Sequence, residues 1–212
     1  MTPSDSQPTR SSQYLRAYRF KVLQTKRKLS QIRLGARGTL ALSKLLTADE
    51  LPIDTLGFFR HELAYTNRKE DARHGATKAQ ATPVIAEKSY AIPGVNRYIS
   101  IVVRPYLTVQ EVEDGFDNFV NSVKKRFSWA GTSQVVESEL QLVQVPNARL
   151  VETQTEYSGE QFRTLSVACV ADKVLVMVEF QCAADSRWDL AVCGEVLHRQ
   201  LDKINRVDQT RS

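Results

Sequence analysis

The chain has 212 residues, 42% of them apolar and 25% charged, which is enough to bury a core and too much apolar material for a disordered chain. Three Cys exclude a disulfide-stapled scaffold, and no apolar run approaches the roughly 18 residues of a spanning helix. The net charge of +5 is unevenly placed: residues 1–48 hold ten Lys and Arg against the single acid Asp5, and the remainder holds nineteen bases and twenty-three acids.

In chain order, residues 1–12 read as a Ser/Thr-rich tail. Leu15, Tyr18, Val22, Leu29 and Ile32 then recur at helical spacing, which predicts a helix over 13–34 with a basic opposite face. Arg16, Arg19, Lys21, Lys26, Arg27, Lys28, Arg33 and Arg37 are the candidate partner-binding residues of the basic segment 1–48. Three readings fit the segment. It is a transit-type peptide, rich in Arg and Ser and poor in acids. It is a docking arm for RNA phosphate, lipid headgroups or an acidic protein. Or it is a solvated helix face.

Gly35 and Gly38 are expected to end that helix, with a short apolar helix following over Leu40 to Leu46. Thr47-Ala-Asp-Glu50 is a capping-box pattern that predicts a helix through Leu56, Phe59 and Leu63. Residues 67–82 lack an apolar stripe and read as an exposed linker. Tyr98 to Pro105 is a β-branched run stopped by Pro, hence a strand. Thr108-Val-Gln-Glu111 opens a second helix, and Val112, Phe116, Phe119, Val120, Val123 and Phe127 line one side of about 17 residues.

From Val135 the period becomes two. Strands are expected at Val135–Val145, Ala148–Tyr157, Gln161–Ala171 and Val174–Cys182, with turns short enough to require antiparallel pairing. Ser186, three residues before Asp189, is expected to cap a closing helix bearing Leu190, Cys193, Val196, Leu197, Leu201 and Ile204. The order predicts an α+β fold, an antiparallel sheet flanked by helices. Its expected divisions are a basic extension (1–48, transit-like or a docking arm), a helix plus polar linker (49–82), an α+β domain (83–207) and a tail (208–212). Truncation at residue 48 is expected to leave the C-terminal domain folded.

Four pieces of residues 84–206 resemble the PsbP-like family, which includes the extrinsic PsbP protein of the photosystem II oxygen-evolving complex. They are Tyr98-Ile-Ser-Ile-Val-Val-Arg-Pro, the hairpin from Ala148 to Phe162 with a Gly in its turn, Ala171-Asp-Lys-Val-Leu-Val-Met, and Phe180 to Trp188 with its Arg187-Trp188 pair. The Gly after Asp172, usual in that family, is missing. The resemblance implies a PsbP-like α/β sandwich. It further implies a non-catalytic accessory or assembly subunit of a membrane-associated, photosynthetic complex, with plastid or thylakoid placement.

Catalytic and metal signals are wanting. His61, His74 and His198 are scattered, without metal-ligand spacing. Gly35-Ala-Arg-Gly38 lacks both the preceding strand and the Lys-Ser/Thr of a phosphate loop. Cys169, Cys182 and Cys193 read as buried free thiols, with Cys169 placed opposite Leu175. No enzyme, cofactor or metal is expected. Trp188 is a structural anchor or, alternatively, an exposed partner contact. The expected partners are subunits of a larger complex at a membrane surface, with RNA through the basic arm as an alternative, as is a soluble chaperone-like interaction domain.

Overall fold

The computed structural model describes residues 36–53, 59–66, 83–92, 97–127, 134–138, 141–157 and 160–209. Two antiparallel meanders build one sheet. The first comprises β1 (Phe59–Thr66), β2 (Val84–Ile92) and β3 (Arg97–Pro105). The second comprises β4 (Gln134–Ser138), β5 (Arg149–Tyr157), β6 (Glu160–Ala171) and β7 (Val174–Ala183). They join through β3 and β7 in the order β1-β2-β3-β7-β6-β5-β4. Four α-helices are described: α1 (Ala36–Ser43), α2 (Val109–Asp117), α3 (Phe119–Phe127) and α4 (Leu190–Gln209).

Alternation along each strand gives the sheet two faces. One carries Ile99, Ile101, Val103, Val176, Val178, Phe180, Leu165 and Val167 in a single core with Cys193, Val196, Leu197 and Ile204 of α4. Leu45, Leu46 and Leu51 complete that core. The other face is covered over part of its length, where Val112 of α2 and Phe119, Val120 and Val123 of α3 pack on Val151, Ala168 and Leu175. The expected α+β class, a sheet flanked by helices, is therefore the observed one.

Several local expectations change. The helix forecast through Leu56, Phe59 and Leu63 is replaced in its described part by strand β1, which pairs along its length with β2. The buried pair Leu63 and Ala64 is adjacent in sequence, so the spacing mimicked neither element cleanly. Strand β2 was not foreseen. Its apolar alternation is broken by Lys88, which is 3% exposed on the core side of the sheet and paired with Glu62 of β1 at 3.2 Å. The divisions at 48 and 82 do not separate folding units either. Residues 45–51 enter the main core, and β1 enters the same sheet as residues 84–183.

Gly38 lies buried inside α1 instead of ending a helix. Thr47 and Glu50 do form a capping box, but on a single 3-10 turn, Ala48–Glu50. The long amphipathic helix divides at Asn118 into α2 and α3. The strand expected to reach Val145 ends at Ser138, and Leu142 and Val145 instead form an isolated bridge buried in the core. The β6–β7 turn is Asp172-Lys173, with Asp172 at φ 50°, a conformation Asp tolerates. Cys169 consequently faces Val176, one residue from the expected partner. The expected helices and linkers at 13–34 and 67–82 lie outside the described residues.

Candidate functional site

Arg37 is the described member of the basic set. Arg16, Arg19, Lys21, Lys26, Arg27, Lys28 and Arg33 lie outside the described residues. Arg37 is exposed on α1, which packs over β1 and β2. Beneath it lies a cavity of about 210 Å³, lined by Leu40, Ala41, Val84, Ala86, Val103 and Pro105 and by the two cations Arg37 and Lys44. An apolar groove with cationic side chains is chemically suited to an amphiphilic or acidic segment.

The chain leaving α1 is tied firmly to the fold. Gln200, fully buried on α4, donates through Nε2 to the Lys44 carbonyl at 2.7 Å and accepts at Oε1 from the Leu46 amide at 3.0 Å. The buried Tyr90 hydroxyl donates to the Leu46 carbonyl at 2.5 Å. These bonds satisfy three backbone groups that burial would otherwise leave unpaired. Further on, Glu50 accepts from the Thr47 amide at 2.7 Å and hydroxyl at 2.8 Å, and from Lys203 Nζ of α4. Arg199 donates to the Glu50 carbonyl at 3.0 Å. Truncation at residue 48 would thus remove Leu45 and Leu46 from the core.

Trp188 is an anchor. It is 8% exposed, its Nε1 donates to the Gln181 carbonyl at 3.0 Å, and its ring meets Phe180 edge-on at 5.5 Å. The Arg97 guanidinium stacks over it at 5.1 Å. Its capacity is used internally, so the structure places it in the core and not on a partner surface.

The three cysteines are free and buried. Burial pushes the Cys169 and Cys193 thiols up to about 12, away from the reactive thiolate, and raises Cys182 as well. His198 is half exposed on α4, 3.5 Å from Asp202 one turn on. Among the described residues, no group of three or more His, Cys, Asp or Glu is disposed to hold a metal ion. No helix among them is long and apolar enough to cross a membrane.

One polar feature had no sequence signal. On the sheet face that α2 and α3 partly cover, Ser89, Ser100, Glu179 and Ser166 stand in one row across β2, β3, β7 and β6. Tyr98, Gln181, Thr164 and Thr153 form the next row, across β3, β7, β6 and β5. Ser and Thr alternating with core residues read as ordinary strand surface, so only the cross-strand register brings them together.

No family model and no curated protein matches this sequence. Among solved structures, the extracellular domain of PknH from Mycobacterium tuberculosis is similar at a TM-score of 0.44 and 14% identity, over 77% of this chain and 93% of that one.

Proposed function

We propose that this protein is a non-catalytic accessory subunit that docks on a larger membrane-associated complex through its basic N-terminal segment. The α+β domain is the body behind that segment. One observation carries the reading: the end of the basic segment is built into the core through Leu45, Leu46, Gln200 and Tyr90. A segment rooted in this way transmits a docking force to the whole domain, and Arg37 and Lys44 beside the groove extend its positive charge onto the domain surface. The resemblance to the PsbP-like family supplies the finer reading, a photosynthetic host.

Crosslinking mass spectrometry on native source membranes tests it, following Lys21, Lys26, Lys28 and Lys44. Crosslinks to subunits of one membrane complex are expected. In the full chain, replacing Arg16, Arg19, Lys21, Lys26, Arg27 and Lys28 by Gln is expected to abolish attachment, since each cation near an anionic surface contributes about 1 kcal/mol. A protein found free in the soluble fraction, or one equally well attached after the replacement, sinks the proposal. Crosslinks to RNA in place of protein sink it too and leave the ribonucleoprotein reading.

A further inference from the structure

The groove beneath α1 has apolar walls and a charged rim. Leu40 and Ala41 of α1 form its roof, and Val84 of β2 and Pro105 of β3 lie in its floor. Among the described residues, the charged ones that line it are Arg37 and Lys44, both cations. Arg37 is exposed and Lys44 half-buried, so both stand where solvent meets the groove. Ala41, partly exposed on the roof, leaves open a space that a longer side chain would occupy. The frame is fixed on both sides. The floor strands are each paired to two neighbours, and Gln200 holds the Lys44 carbonyl at 2.7 Å, which gives the root of that side chain one position. A site preformed in this way loses little to ordering when a ligand enters.

We infer that this groove binds a free fatty carboxylate of medium chain length, its alkyl chain between α1 and the sheet and its carboxylate on the cationic rim. The walls exclude water from methylenes, and the rim supplies the opposite charge to the head. The size agrees. An apolar cavity of roughly 150 Å³ takes benzene, so the groove, at about 210 Å³, takes a chain of about six to eight carbons. Other ligand classes match less of the lining. A small oxyanion such as phosphate would use the cations, but their roots are seven residues apart, about 10 Å along a helix, with apolar walls between. A neutral hydrocarbon would use the walls and leave the cations without a role. A peptide strand needs unpaired strand edges, whereas β2 and β3 are both interior to the sheet.

The test is amide NMR on the full chain, titrated with butanoate, hexanoate and octanoate, and with octan-1-ol and phosphate for comparison. Octanoate is expected to give saturable shifts centred on Leu40, Ala41 and Val84. Each methylene added from butanoate to octanoate should tighten binding roughly threefold. Octan-1-ol should bind roughly tenfold more weakly than octanoate, and Arg37→Gln combined with Lys44→Gln should bring octanoate down to the level of the alcohol. Ala41→Leu, which occupies the groove, should abolish the shifts. Arg37 is exposed, so Arg37→Gln alone decides if another variant does not fold, and it should weaken octanoate about threefold or more. Replacing the six cations from Arg16 to Lys28 by Gln should leave octanoate binding unchanged, so loss of attachment to a host complex and loss of this ligand are separate results. The inference is overturned if no carboxylate moves these amides saturably, if octan-1-ol binds as tightly as octanoate, or if phosphate produces the same shifts. It is equally overturned if a folded Ala41→Leu or Arg37→Gln protein binds octanoate as wild type does.

Discussion

Glu50 is a carboxylate caught between opposing influences. Burial alone would raise its pKa, but the Lys203 ammonium and the Thr47 amide and hydroxyl all donate to it. The result is a drop from the usual 4.5 to about 2. A folded-state pKa below the unfolded one stabilises fully above the unfolded value and is lost as pH falls through the folded value. The contribution is thus present above pH 4.5 and disappears between there and about 2. Glu50→Gln should flatten this part of the acid limb: its urea midpoint is expected to fall less than that of wild type between neutral pH and about pH 3. Equal acid sensitivity in the two proteins would refute the assignment. At the same scale, Trp188 was legible as an anchor from its place before a helix. The buried Lys88 was illegible, because the partner that makes its burial tolerable, Glu62, sits on another strand.

Helix ends show what local pattern can and cannot supply. The capping box at Thr108 and Glu111 is present as read, with Glu111 N donating to Thr108 Oγ1 at 3.2 Å and the Thr108 amide donating to Glu111 at 3.1 Å. The last helix starts differently. Asp189, not Ser186, is its cap: its carboxylate accepts from the Ala191 amide at 2.8 Å and its carbonyl from the Cys193 amide at 3.0 Å. Asp189→Ala is expected to cost about 1 kcal/mol, read as a shift in the urea midpoint, whereas Ser186→Ala should be near neutral. A larger loss at Ser186 would restore the original pattern. The break between α2 and α3 has a tertiary cause. Arg149 of β5 donates to the Phe116 and Asp117 carbonyls at 3.1 and 3.2 Å and pairs with the Asp117 carboxylate at 2.8 Å. A cation from a strand 32 residues away thus satisfies the end of α2, where the apolar spacing alone continued.

For the whole molecule, the division of the chain is decided by which residues share the core. Leu45 and Leu46 are at most 1% exposed, and their burial is worth about 1.5–3 kcal/mol each. Against a total stability of about 5–15 kcal/mol, that is a large share, before counting the Lys44 and Leu46 backbone groups held by Gln200 and Tyr90. A chain beginning at Ala36 is therefore expected to melt cooperatively, and one beginning at Asp49 to lose its cooperative transition in calorimetry. Cooperative melting of the shorter chain at an unchanged temperature would return the boundary to residue 48.

By itself, the sequence determined the features whose signals are local: the α+β class, the β5–β6–β7 meander with its two short connections, the closing helix and the basic character of the first 48 residues. Period, turn chemistry and charge are read over a few neighbouring residues, so no distant partner is needed to see them. Only the tertiary structure decided that β1 and β2 extend the sheet, that residues 45–51 belong to the core and that α2 parts from α3. It alone brought Thr164 and Ser166 beside Glu179 and Gln181. The first three depend on partners far along the chain: Glu62 for Lys88, Gln200 for Leu46 and Arg149 for the Asp117 carbonyl. Pairing across such separations leaves no periodic trace in the sequence, because it is set by strand register and by which buried polar group finds another.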